Sequence, residues 1–222
     1  MINVIYEDNH LLVVEKPVNI PVQGDSSNDE DLLTMLKQYL KKKYDKPGEV
    51  YLGLVHRLDR PVGGIMVFAR TSKAASRLSK IIAERTFSKT YLAIVEGHDI
   101  RKSDTLTDYL IKDSKTNTVS VTDEAHGRKA VLDYELLNSR DDLNLVKVNL
   151  HTGRSHQIRV QFASRNMPLW GDQRYNPKAV KHQQIALWSY EISFPHPTTK
   201  EVLTFRCEPP RKYPWNELMP ES

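Results

Sequence analysis

The sequence predicts an α+β fold on a mixed, mainly antiparallel sheet. Three observations lead there. Short apolar or alternating runs recur along the 222 residues, and only three segments carry the helical spacing of apolar side chains. Those three are scattered among strand patterns close enough to pair as hairpins. No repeat, low-complexity tract or linker breaks the pattern, so a single domain over residues 1–222 is expected.

In chain order, NVIYED and LLVVEKP flank Asn9-His10 and read as a strand pair, which Pro17 and Pro21 end. PVQGDSSNDE is a polar loop. From Asp31 a helix is predicted, because Leu32, Leu36, Tyr39 and Leu40 share a face and Asp and Asn are available as caps. It runs into lysines before Pro47-Gly48. GIMVFAR reads as a buried strand. A second helix over 72–85 turns Ala74, Ala75, Leu78, Ile81 and Ile82 inward and leaves Lys73, Arg77, Lys80 and Glu84 on the opposite face. KTYLAIVEG, TVSVTD, AVLDYELL and NLVKVNL read as successive strands. SHQIRVQFASRN reads as a third helix with Ile158 and Phe162 inward, and QIALWSYEISF and EVLTFRCEP form strands around a PHPTTK turn.

Composition narrows the function. With 39% hydrophobic and 27% charged residues the chain has the make-up of a soluble globular protein. No run approaches the roughly 18 apolar residues of a membrane span. The start, MINVIYEDNH, lacks a secretory pattern. The single cysteine, Cys207, lies in a strand pattern as a core residue; it excludes an internal disulfide and fits a cytoplasmic location. Histidines without ligand spacing and the absence of a Walker or dinucleotide glycine loop predict neither metal nor cofactor. The net charge of +4 is modest, but residues 70–89 hold six Lys or Arg and one acid. KKKY at 41–44 and the group Arg154, Arg159 and Arg165 add to it. Clustered base in a nearly balanced protein is a footprint for phosphate.

Three segments could carry chemistry. VHRLDRPVGG sets Asp59 between Arg57 and Arg60, in a Pro- and Gly-rich turn ahead of a buried strand. A carboxylate is ionised at neutral pH, so a nucleophile there needs position and shielding from the fold. A structural ion pair in the turn is the competing reading. In HTGRSHQIRVQF, Arg154 falls in the loop before the helix, while Arg159 can reach a buried carboxylate as a two-pronged partner. A basic amphipathic helix with a solvated face is the alternative. In FSKTYLAIVEG, Tyr91 opens a strand after a basic patch; it packs in the core or stacks on an unpaired base.

Taken together, the segments resemble the RluA-type pseudouridine synthases. The family's HRLD box appears as His56-Arg57-Leu58-Asp59, its K-x-Y-x-A-x-V-x-G strand as Lys89 to Gly97, and its GR-[ST]-HQIR box as Gly153 to Arg159. MPLWGDQRYN is similar to its P-[IL]-x-GD-x-x-Y stretch, ISFPHPTTKE to its C-terminal hairpin, and VIYEDNHLLVVEKPVNIPV to its opening strand pair. The likeness covers nearly the whole chain in the same order.

The resemblance implies a pseudouridine synthase fold with a central active-site cleft, and an isomerase that converts uridine in RNA to pseudouridine without metal or organic cofactor. It implies that Asp59 is the catalytic aspartate, Tyr91 the ring against the target base, and Arg159 the basic partner of the aspartate. Arg57 matches a residue implicated in replacing a flipped nucleotide, and Arg154 is expected to meet RNA backbone. His56, Arg60, Lys73, Arg77 and Lys89 complete the expected RNA contacts. An Asp59–Arg159 charged pair is expected at the floor of a basic cleft, with Tyr91 on its wall. The partner is ribosomal or transfer RNA with a stem-loop, met by a monomer; no membrane is involved.

Two departures from the family stand out. Val62-Gly63-Gly64 replaces the usual Thr-Ser-Gly, and Leu187-Trp188-Ser189 replaces the usual Leu-His-Ala. Because the catalytic pattern starts by residue 4, no N-terminal S4 domain is expected. A non-catalytic RNA-binding module and a small-molecule nucleoside hydrolase are the rival readings.

Overall fold

A computed structural model describes residues 2–220. Along the chain it has β1 (Asn3–Glu7), β2 (Leu11–Lys16), α1 (Leu32–Lys43), β3 (Gly53–Leu54), β4 (Gly63–Ala69) and α2 (Ser72–Ala83). There follow β5 (Ser88–Glu96), β6 (Ser103–Asp113), β7 (Thr118–Thr122), β8 (Arg128–Arg140), β9 (Leu143–Leu150) and α3 (Gln157–Ala163). The chain closes with β10 (Leu187–Pro195), β11 (Val202–Arg206) and α4 (Trp215–Leu218). It folds as two compact units: the residues up to Lys89 with Ser189–Glu208, and Thr90–Trp188 with the segment from Pro209 on.

In the first unit the strands lie in the order β1-β2-β4-β10, with β3 on β4 and β11 on β10. The pairs β1–β2, β2–β4, β3–β4 and β10–β11 are antiparallel. The β1–β2 hairpin closes on Asp8, whose Oδ1 accepts from the backbone of His10 and Leu11, both at 2.7 Å. Leu11 to Val14 and the whole of β4 are buried, as a strand covered on both faces must be. The predicted helices form. Asp31 caps α1 by accepting from Thr34 N, and Leu32, Leu36 and Leu40 face the core. Thr71 caps α2 through Ala74 N, with Ala74, Leu78 and Ile81 inward. Phe194 joins these layers by stacking on Phe87 at 4.9 Å and tilting against Phe205.

The stretches that hold the two sequence departures meet here, through the glycine that the first of them retains. Gly64 has φ +116°, and a Cβ on it would overlap the Ser189 backbone. Ser189 Oγ in turn donates to Ile65 O at 2.9 Å. Only glycine permits this approach.

In the second unit the order is β5-β9-β8-β6-β7, antiparallel throughout. Tyr91, Val148, Tyr134 and Asp104 form one cross-strand row, and the neighbouring row is Thr90, Asn149, Asp133 and Thr105. Side chains alternate between faces along a strand. Phe162 of α3 lies against Tyr134 at 5.2 Å, which assigns α3 to the face carrying Tyr91. Strands β3 and β6 and helix α4 were not legible in the sequence. β6 buries only Leu106 and Leu110 of its 11 residues, too few to mark a strand. The third helix is shorter than its pattern suggests. His156 sits at φ 51° in the left-handed region and delays its start, and Asn166 at φ 58° lies beyond its end.

Candidate active site

Asp59 belongs to the first unit. Burial alternates along the segment before it, which buries His56 and Leu58 and leaves Arg57 exposed and Asp59 half-buried. The turn closes where Val62 N donates to Asp59 O at 2.9 Å. Its support is Lys16, at the end of β2 and with 0% exposure. The Lys16 ammonium donates to Pro17 O at 2.9 Å, Arg60 O at 3.0 Å and Val62 O at 2.7 Å. Three protons meet three carbonyls, two of them in the turn that carries Asp59. Burial pushes the Lys16 pKa down to about 7, with Asp59 opposing the shift and Arg60 adding to it.

His56 is held inside the unit. Its Nε2 accepts from Val67 N at 3.0 Å, and its ring lies 5.4 Å from Phe87. Burial, with Lys89 adding charge repulsion, drops its pKa to about 3, so the ring is neutral. Lys89 itself is half-buried and its pKa is lowered by burial. Arg77 donates to Pro197 O at 3.1 Å and tethers the PHPTTK turn to α2, whereas Lys73 is exposed. Arg60 is gathered by the polar loop that follows β2. It donates to Asn19 O and Ser27 Oγ and pairs with Asp25 and Asp29.

Tyr91 and Arg159 belong to the second unit. Tyr91 is buried in β5, 7% exposed. Arg159 is buried in α3 at 5%, so that helix has no solvated basic face. The guanidinium is clamped by Asp172, Nε to Oδ2 at 2.9 Å and Nη2 to Oδ1 at 2.7 Å, and it lies 5.1 Å over the Tyr175 ring. Burial by itself would raise the Asp172 carboxyl, but Arg159 and the backbone N–H groups of Arg174 and Tyr175 hold it below the usual range. The Tyr175 hydroxyl accepts from Val119 N at 2.9 Å and shares a 2.6 Å bond with His156 Nδ1.

Gln157 fixes the approach to α3. Its Oε1 accepts from Thr152 Oγ1 and Arg154 N, and its Nε2 donates to Val131 O and Gln161 Oε1. Gln161 passes the network to Asp108 at 2.7 Å, and Asp108 pairs with Arg165. Arg154 is exposed in the loop, as its spacing predicts, with Nε on Lys129 O at 3.0 Å.

Lys16, Asp172 and Gln157 were not among the sequence candidates. The last two stand within the GD-x-x-Y and HQIR stretches, which offered a signal. Lys16 offered only its place as the one cation in a buried strand. Among the described residues no group of three His, Cys, Asp or Glu side chains could hold a metal, and no helix is long and apolar enough to cross a membrane.

An antiparallel α+β fold carries a carboxylate on a braced turn in one unit and an arginine clamped by a buried acid in the other. The comparisons give the class its name. The family model described as RNA pseudouridylate synthase matches residues 10–164. An uncharacterised RNA pseudouridine synthase of Aquifex aeolicus is 33% identical, over 96% of this chain and 71% of the relative. Ribosomal large subunit pseudouridine synthase D of Zymomonas mobilis is 28% identical, over 95% of this chain and 70% of the relative. Human RNA pseudouridylate synthase domain containing 4 shares the fold, with a TM-score of 0.81 at 21% identity over 94% of this chain and 89% of that one. The chain belongs to the RNA pseudouridylate synthase family, whose members are isomerases that convert uridine in RNA to pseudouridine.

Proposed function

We propose that the protein, as a cytoplasmic monomer, isomerises a uridine in large-subunit ribosomal RNA, with Asp59 as its catalytic carboxylate. The observation that carries the assignment of Asp59 is its setting: a half-exposed acid on a turn whose backbone is fixed by Lys16. Support for ribosomal over transfer RNA comes from relatives named for the ribosomal large subunit in several bacteria.

The reaction breaks the N1–C1′ bond, turns the uracil over and joins C5 to C1′. The C5 proton is lost and N1 gains one, so the composition is unchanged. An Asp59 carboxylate oxygen serves the sugar side, at the electron-poor C1′ or by taking a proton at C2′. In this reading Arg159, held by Asp172, is the basic residue of the reaction, and Tyr91 supplies the ring for the base. A target uridine must leave its stack at a cost of a few kcal/mol. Contacts from Arg57, Arg154, Lys73 and Lys89 to flanking phosphates offset that cost. His56 contributes from inside, by fixing the turn rather than by touching RNA. A hydrolase of free nucleosides would call for a second carboxylate to activate water.

The test is a pseudouridine map of ribosomal and transfer RNA from cells lacking the protein, set against the parent. Loss of one or a few sites in large-subunit RNA is expected, and purified protein should restore them in a transcript. A map without lost sites, together with an unmodified transcript, overturns the assignment. Loss confined to transfer RNA overturns the choice of substrate alone.

A further inference from the structure

The acidic loop at 24–31, GDSSNDED, has no counterpart in the chemistry derived so far, yet it is fastened to the residue next to Asp59. We propose that Arg60 is an RNA phosphate contact held in reserve by this loop, whose Asp25 and Asp29 carboxylates occupy the guanidinium until a phosphodiester displaces them. The inference rests on the RNA-modifying reading above.

All three nitrogens of the Arg60 guanidinium are engaged. Nε donates to Asn19 O at 3.2 Å, Nη1 to Ser27 Oγ at 2.9 Å and to Asp25 Oδ2 at 3.4 Å, and Nη2 to Asp29 Oδ2. Two carboxylates therefore face one cation, where a structural ion pair needs one. The three side chains carry a net charge of −1, and a phosphodiester that takes the place of both acids leaves the guanidinium with one anionic partner instead of two, the displaced acids returning to solvent. Charged oxygens on the two terminal nitrogens of a guanidinium are also the arrangement by which arginine recognises phosphate.

The loop is built to let go. Residues 23–30 are exposed and contain no helix or strand, and the Asp25, Asp29 and Arg60 side chains are 39%, 54% and 39% exposed. Ion pairs at such exposure are weak and screened by salt. The loop keeps its own shape without Arg60, because Asp25 Oδ1 accepts from Ser27 N and Oγ and Ser27 Oγ accepts from Asp29 N. Release thus frees the cation without unfolding anything. Arg60 O stays on Lys16 meanwhile, so the Asp59 turn does not move with the exchange.

The experiment is a double-mutant cycle on binding to an unmodified transcript of bacterial large-subunit ribosomal RNA at fixed salt. It uses wild type, Asp25→Asn with Asp29→Asn, Arg60→Ala, and the three changes together. The double Asn variant should bind about three- to ten-fold more tightly than wild type, the range in which exposed charge pairs act. In the Arg60→Ala background the same two changes should give no gain. A gain that persists without Arg60 means general repulsion of RNA by the acids and overturns the proposal. So does the lack of any gain. Asp29→Asn alone serves if the double variant does not fold. Pseudouridine formation by wild type in the same transcript separates the two readings: turnover without coupling sinks only the Arg60 clasp, whereas neither binding nor turnover sinks both.

Discussion

Lys16 in the first unit and Asp172 in the second are both ionisable and wholly buried, and each holds a segment that carries a candidate catalytic residue. They do so by opposite means. Lys16 grips main chain: two of its three donors end on carbonyls of the Asp59 turn and the third on Pro17 O. Asp172 grips a side chain, the Arg159 guanidinium, from a turn that its own Oδ1 also caps. The first device fixes where a backbone sits whatever residue stands on it. The second fixes one cation and fails if either partner changes. The Asp59 side chain can be exchanged on the first scaffold with little structural penalty, whereas Arg159 cannot be exchanged on the second without one.

Breaking the side-chain clamp should have the largest effect on stability. Asp172→Ala leaves a buried guanidinium without its bidentate partner and should cost about 3–5 kcal/mol in denaturant unfolding. A loss below about 1 kcal/mol would mean the clamp is dispensable and the contrast between the units false.

Next comes Lys16. Its folded pKa of about 7 lies below the ordinary 10.5, so between those values the unfolded chain holds a proton that the folded one does not. Stability conferred through this group is therefore lowest below pH 7 and rises toward pH 10.5, by about 1.4 kcal/mol per pH unit. Lys16→Met should remove that rise from the wild-type profile while leaving the turn's carbonyls unsatisfied. Identical pH profiles for the two proteins would place Lys16 outside the linkage.

A smaller effect sharpens the comparison within the second unit. Gln161→Leu cuts the network between Gln157 and Asp108 and should cost about 1–3 kcal/mol, measured as a shift in the denaturation midpoint. The smallest belongs to the surface. Arg206→Ala, which removes the exposed pair with Glu191, should leave the melting temperature where it was.

The parts of this molecule that were legible in advance are those decided locally. Caps and apolar spacing set α1 and α2, and continuous apolar runs set β2 and β4. β6 was not legible because its polar side chains reflect exposure and its pairing with β7 and β8, neither of which its composition records. The shortened α3 follows from a left-handed histidine that no propensity predicts. In the candidate site, the HRLD and HQIR stretches marked Asp59 and Arg159, but not what braces them. Neither Lys16 nor Asp172 was marked, because burial of a charge depends on partners distant in sequence: Val62 lies 46 residues from Lys16, and Asp172 lies 13 from Arg159.

The central claim is that the turn held by Lys16 exists to present the Asp59 carboxylate to a uridine. Asp59→Asn keeps the shape of that side chain and removes its charge. Pseudouridine formation in a large-subunit RNA transcript under single turnover, with binding and melting temperature recorded on the same samples, tests the claim most directly. The variant should fold and bind like wild type while turnover falls by about a thousand-fold or more. Turnover equal to wild type would contradict the assignment of Asp59.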